Sequence, residues 1–260
     1  MKTPFFSIIT PTYNRGYIIS KAIESVLNQK FDNWEMIIID DGSTDNTEEV
    51  VKKYQQNSEK IKYIKLEKNM GPNVARNLGS ERSSGEWLVF LDSDDQLTPD
   101  ALENISYYIQ KHKDVSFFIF ACKDLDGKIP LNIAFYEGYI DYLDFLCKIK
   151  GEALPVIKRE VFIQEKFLES IRGGENITWI KILKKGYKAF YSSKVVRIYN
   201  NKLEDRLSYK KKNYNRLVQV HTVFIKNFFW DLLKHCPLKL ATTTAKIIVY
   251  KFLQLITKYD

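Results

Sequence analysis

Residues 88–96 read LVFLDSDDQ: four apolar residues run into three aspartates, Asp92, Asp94 and Asp95, within four positions. An apolar run this short, without alternation and bounded by polar residues, reads as a strand buried on both faces. The same transition occurs twice upstream. FFSIIT (5–10) runs into PTYNR, and WEMIIID (34–40) runs into DGSTDNTEEVV. Helical spacing fills the intervals. Ile18, Ala22, Ile23, Val26 and Leu27 predict one helix, and Ser43, Thr44 or Asp45 caps a second that continues through Tyr54. KIKYIKLEK (60–68) predicts a strand, followed by a helix from near Pro72 to before Gly85. Pro99, with Asp100 beside it, opens another helix, and VSFFIFAC (115–122) predicts a fifth strand. The alternation predicts an α/β fold with a mostly parallel, Rossmann-like sheet covered by helices on both faces. In such sheets the ligand crevice lies at the carboxyl ends of the strands, so PTYNR, DDGS and DSDD converge on one edge.

Beyond residue 122 the pattern weakens. YIDYLDFLCKI (139–149) predicts a helix, and LPVIKREVF a strand entering a short helix. GGENITWIKILKKG (173–186) predicts a glycine-led helix stopped by Gly186. From 213 onward two amphipathic helices are expected, separated by Pro237. Leu217, Val220, Phe224, Phe228 and Leu232 line the first; Ile248, Phe252, Leu255 and Tyr259 line the second.

A chain of 260 residues, 45% hydrophobic and 28% charged, suits one sizeable domain with appendages. No run of about 18 apolar residues predicts a spanning helix, and MKTPFFSIITPTYN lacks the pattern of a secretory signal. Cys122, Cys147 and Cys236 are scattered without a CxxC, which predicts reduced thiols in a cytoplasm. His112, His221 and His235 are equally dispersed and argue against a His/Cys zinc site. The net charge of +8 is uneven: eleven Lys/Arg against two Asp fall between Arg206 and Asp260. A basic tail on a near-neutral body predicts an anionic partner surface, and no recognised nucleic-acid motif accompanies it.

The three polar clusters suggest chemistry. Two acids spaced one apart at a strand end can point oxygens at one Mg²⁺ or Mn²⁺, which relieves their repulsion and leaves positions for phosphate. A carboxylate of the DDGS segment can accept from a nucleobase N–H or a ribose hydroxyl; the following Ser/Thr/Asp run also fits a turn and a helix cap. Tyr13 can face a planar base. Arg76, in GPNVARNLG, can contact a phosphate or brace the aspartates.

Taken together, SIITPTYNR, IIIDDGSTDNT, NMGPNVARNLG and SSGEWLVFLDSDDQLTPDAL resemble the family 2 glycosyltransferases of GT-A fold, in their order and spacing. The resemblance spans residues 5–110 and loosens to about 200. It implies a nucleotide-sugar donor, most often UDP-linked, a divalent metal (Mn²⁺ or Mg²⁺), and transfer with inversion. It implies that Asp41 sits at the base with Asp40 supporting it, and that Pro11, Thr12, Tyr13, Asn14 and Arg15 line the donor pocket with Arg76 and Ser93. Asp94 becomes the principal metal ligand, Asp92 a ribose, sugar or metal contact, and Asp95 a residue that holds the loop.

Inversion needs a base that takes the acceptor proton during in-line attack. The family usually supplies it from a Glu-Asp pair after a glycine-rich loop. Here GGENITW retains Glu175 but has Asn176 at the usual base position, and Asn is no general base. Glu175 is the preferred base, with Glu169 or a loss of activity as alternatives. The family's aromatic-Arg-x-His stretch is replaced by RIYNNKLEDRLS, which offers Lys202 or Arg206 to the diphosphate.

The reading is an inverting glycosyltransferase of bacterial surface polysaccharide, acting on a glycan or lipid-linked acceptor. Residues 1–110 form the nucleotide-binding half, 111–205 the acceptor-side half, and 206–260 a basic amphipathic tail. The tail lies on an anionic membrane surface, peripheral to the cytoplasmic face; alternatively it packs on the core or pairs two subunits as a homodimer. A degenerate nucleotide-sugar binder and a sugar nucleotidyltransferase are the competing functions, the latter weakened by the single glycine of PTYNRGY. No nucleic-acid partner is expected.

Overall fold

The computed structural model describes residues 3–132, 136–202 and 213–256. Its first half alternates as the apolar runs require: β1 (Phe6–Thr12), α1 (Ile19–Leu27), β2 (Trp34–Asp40), α2 (Thr47–Asn57), β3 (Ile61–Lys65), α3 (Pro72–Glu81), β4 (Trp87–Phe90). A two-residue β5 (Gln96–Leu97), α4 (Ala101–Lys111) and β6 (Phe117–Asp124) follow. The second half contains β7 (Gly138–Ile140), β8 (Ala153–Lys158), α5 (Arg159–Gln164), α6 (Glu175–Lys184), β9 (Ala189–Tyr199), α7 (Tyr214–His235) and α8 (Pro237–Ile256).

All nine strands join one sheet in the order β3-β2-β1-β4-β8-β6-β9-β5, with β7 also paired to β9. β3, β2, β1 and β4 run parallel. Every residue of β1, β2 and β4 is buried, which explains their unbroken apolar runs. One face packs α1, α2 and α4 through Ile23, Val51 and Ile105. The other packs α3, α5 and α6 through Ala75, Phe162 and Trp179. A third cluster joins α6 to α7 through Ile177, Ile180, Phe224, Phe228 and Leu232. Burial of each large side chain there stabilises by about 1.5–3 kcal/mol, so α7 is bound into the body.

Three expectations change. The helix predicted over 139–149 is a strand followed by one π-helical turn, Asp144–Lys148. Tyr139 and Ile140 pair with Phe190 and Ala189 of β9, and the turn begins where Asp141 and Asp144 each accept the other's backbone N–H. Leu27, placed on the buried face of α1, is 37% exposed. Cys147 and Cys236, expected as free thiols, form a disulfide that ties the π-helical turn to the α7–α8 elbow. Their separation of 89 residues hides the pair in the sequence. Cys122 is free and buried in β6. Among the described residues no helix is long and apolar enough to cross a membrane.

Candidate active site

The carboxyl ends of β1, β2 and β4 open onto one cleft of about 770 Å³, a size that suits a small-molecule ligand. Each wall is fixed locally. Asn14, at φ 53°, turns the chain after β1; its side chain accepts from Thr44 N at 2.8 Å, and its own N–H donates to Ser43 Oγ at 2.8 Å. Gly16 N donates to Asp45 Oδ2 at 3.0 Å, and a Cβ at Gly16 would lie 2.0 Å from Asn46 Oδ1. The loops after β1 and β2 are thus clasped, and glycine is what permits the approach. None of the three capping candidates is the N-cap of α2, which is Asn46 without a side-chain cap hydrogen bond; Asp45, just before it, accepts from Thr47 N at 3.0 Å.

Asp40 is fully buried and accepts from Ser43 N and Tyr63 Oη, so it supports the loop from beneath. Asp41 lines the cleft, and its two oxygens take Met70 N at 2.6 Å and Gly71 N at 2.8 Å. Burial pushes its carboxyl upward, against those two hydrogen bonds. Beside it, the buried Thr12 Oγ1 and Asn69 Oδ1 have no hydrogen-bond partner within the protein. Tyr13 leaves 40% of its surface open on the same wall.

The aspartates of the 92–95 turn divide their work. Oxygens of Asp92, Asp94 and Asp95 lie within 4.8 Å of one another. Asp92 and Asp94 line the cleft, whereas Asp95 is buried behind them and is not part of its lining. Arg197 of β9 reaches Asp95 Oδ2 at 3.2 Å, and Asn200 N donates to its Oδ1 at 3.0 Å. Burial pushes the Asp95 carboxyl up, to about 7, with Arg197 pulling the other way. Two hard oxygen ligands one residue apart, with the third acid already matched by a cation, fit Mg²⁺ or Mn²⁺.

Opposite the aspartates stands the amino end of α6. Gly173 and Gly174 both have left-handed φ, +90° and +77°, which sets the tight turn that delivers Glu175. Asn73 of α3 holds this turn by donating to the carbonyls of Leu168, Ile171 and Gly173 at 2.9–3.1 Å. Arg76, one turn further along α3, spans the gap: Nη2 meets Asp92 Oδ1 at 2.7 Å and Nη1 meets Glu175 Oε1 at 2.9 Å. It therefore ties Asp92 to Glu175.

Pro11, Thr12, Tyr13, Asn14, Arg15, Asp41, Arg76, Asp92, Ser93, Asp94 and Glu175 all line this cleft. Asn176 is exposed outside it. Glu169 is also outside and accepts from Asn77 Nδ2 at 2.9 Å. Lys202 pairs with Asp126 at 2.7 Å, and Arg206 lies outside the described residues. Sequence reasoning missed Asn69, Glu152, Arg172, Tyr199 and Arg216 on the cleft wall. Arg172 had a signal, since it directly precedes the glycine pair. Arg216 lies on α7 and had none.

The description "Glycosyl transferase family 2" matches residues 7–165, most of the chain. The chain belongs to glycosyltransferase family 2. It is 35% identical over 205 residues to the GalNAc(5)-diNAcBac-PP-undecaprenol beta-1,3-glucosyltransferase of Campylobacter jejuni, across 75% of this chain and 64% of that one. The chain thus spans just under two thirds of that relative's length. Among solved structures, Staphylococcus aureus TarS 1–349 in complex with UDP-GlcNAc superposes with TM-score 0.74 at 21% identity, over 94% of this chain and 71% of that one. The mannosyltransferase PcManGT of Pyrobaculum calidifontis, in complex with GDP-Man and Mn²⁺, gives 0.69 at 20%, over 96% and 75%. These likenesses show the GT-A fold, with the family 2 pattern placed on its nine-stranded sheet and C-terminal helices α7 and α8 added.

Proposed function

We propose that this family 2 glycosyltransferase moves a sugar, with inversion, from a UDP-sugar to a glycan or lipid-linked acceptor in bacterial surface polysaccharide synthesis. The observation that carries the reading is the facing pair of carboxylate groups across one cleft, Asp92 and Asp94 on one side and Glu175 on the other, joined through Arg76. Residues 1–110 serve the donor, 111–205 the acceptor, and 206–260 form the basic tail. The base and ribose lie against Tyr13, Thr12 and Asn69, where two buried polar atoms lack partners. Asp41 shapes this pocket, both by lining it and by holding the 69–71 loop.

Asp94, with Asp92, holds Mn²⁺ or Mg²⁺, which when bound neutralises charge growing on the departing diphosphate. Arg15, Arg172 and Arg216 line the same cleft and suit phosphate oxygens. Arg172 and Arg216 take the place assigned above to Lys202 and Arg206. Glu175 removes the acceptor hydroxyl proton on its Oε2 while Arg76 holds Oε1. Glu175, inside the cleft, and not Asn176, outside it, is the base; this favours an enzyme over a degenerate binder. The proposed place of action is the cytoplasmic face of the membrane.

A screen of several UDP-sugars with Mn²⁺, scored by UDP release, tests the reading. Metal-dependent UDP release that increases with a glycan acceptor is expected. Pyrophosphate release instead, or no binding of any UDP-sugar, would overturn it.

A further inference from the structure

Helix α8 presents a row of apolar side chains on its open side. Leu238, Ile248, Val249, Phe252, Leu255 and Ile256 are 46–77% exposed. At about 100° per residue they fall, with Ala241 and Ala245, in one stripe about 120° wide that no polar residue interrupts. The side turned to α7 is mixed. Thr243 is the one buried residue of α8; Tyr250 packs near Tyr214 and His221, at 5.8 and 5.7 Å between ring centroids. Lys239 lies over the Phe224 ring at 5.6 Å, and burial pulls its ammonium below the ordinary lysine range. A helix packed only for folding buries its apolar stripe and leaves its lysine outside. Leu240, Ile247 and Leu253 are half-buried, but the stripe is a second apolar face left on the open side, and it awaits another apolar phase.

Charge identifies that phase. From 213 to 256 the cations are Arg216, Lys226, Lys234, Lys239, Lys246 and Lys251; the acid is Asp231, already paired with Lys184 at 2.6 Å. On the helical wheel Lys246 and Lys251 flank the stripe, one on each side. Two copies joined through this stripe would bring these like charges together, whereas an anionic lipid surface matches both the stripe and its borders. We infer that α8 is an interfacial helix that lies along an anionic bilayer, with Phe252, Leu255 and Ile256 among the acyl chains and the flanking lysines at the headgroups. The disulfide from Cys147 to Cys236 and the buried face of α7 hold this helix rigidly on the catalytic body.

The orientation has a consequence for the cleft. α7 and α8 form an antiparallel hairpin, and Tyr250, near the far end of α8, returns to Tyr214. Two residues on, Arg216 lines the cleft. A protein lying on α8 holds the cleft mouth near the lipid surface, within reach of an acceptor anchored there. This last step rests on the transfer reading above; the binding to lipid does not.

Sedimentation of the full chain with vesicles of equal parts phosphatidylglycerol and phosphatidylcholine tests the inference. Pelleting with these vesicles, much weaker pelleting with pure phosphatidylcholine, and release by salt are expected. Phe252→Ser should weaken binding about tenfold or more. Lys246→Glu with Lys251→Glu should erase the preference for the anionic vesicles. All three residues are exposed, and unchanged circular dichroism checks that the variants fold. Equal binding to both vesicles, or to neither, overturns the inference. So does a dimer in analytical ultracentrifugation that Phe252→Ser separates, since the occupant is then a second copy. A chain that binds vesicles but releases no UDP from any UDP-sugar defeats the transfer reading alone.

Discussion

Acid groups stand at the amino end of β2 and just past the carboxyl end of β4, and the two places treat charge in opposite ways. At the amino end of β2, Glu35 is 3% exposed. Its Oε1 accepts from Ser7 Oγ at 2.6 Å, Ser84 N at 2.6 Å, Ser84 Oγ at 2.9 Å and Gly85 N at 3.2 Å; Oε2 meets Lys62 at 2.6 Å. Every demand of that carboxylate is met inside the protein. At the carboxyl end of β4, Asp92 and Asp94 line the cleft, and Arg76 bridges the Asp92 carboxylate to Glu175. A saturated carboxylate stitches strands together. A carboxylate turned to a cleft retains capacity for a ligand.

Three substitutions sharpen that contrast. Asp94→Ala should cost the most, about 10³-fold or more in transfer rate, with loss of Mn²⁺-dependent UDP binding in calorimetry and little change in thermal stability. Glu175→Gln should lower turnover by about 10²-fold or more while leaving UDP affinity nearly intact; full activity in this variant would move the base elsewhere. Glu35→Gln should do the reverse, destabilising the fold by about 1–3 kcal/mol at pH 7 in urea titrations while the folded fraction transfers normally. Its hydrogen bonds and Lys62, outweighing the opposing effect of burial, hold the Glu35 carboxyl below its ordinary 4.5. The stability it contributes is therefore present above about pH 4.5 and is lost as pH falls through the depressed folded value. The difference between wild type and Glu35→Gln should close on acidification; a difference independent of pH would break the comparison.

The strand ends were legible because each apolar run stops abruptly at a polar cluster, and a parallel sheet gathers those ends on one edge. Glu175 was legible from GGEN. Less legible was everything decided by partners far away in the chain. The sequence places Asp41 at a pocket but says nothing of the Met70 and Gly71 amides that occupy its oxygens. Asn73, Arg76 and Asn77 share one face of α3 at helical spacing, a signal of a working polar face that the apolar pattern obscured. Their partners lie 90–100 residues away, on the segment before α6 and at its first residue. Cys147 with Cys236, and Arg216 with the cleft, are contacts of the same long-range kind.

Asp95 shows what such distance means during synthesis. The turn that presents Asp92 and Asp94 is anchored by Arg197 and by the backbone of Asn200, the latter 105 positions further along. Among the described residues its neighbour β5 pairs only with β9, the last of their strands in chain order. A nascent chain that ends before β9 contains every residue of the aspartate cluster but lacks the strand that aims it. Translation therefore sets the order: the turn that carries Asp92 and Asp94 gains its anchor once β9 has docked.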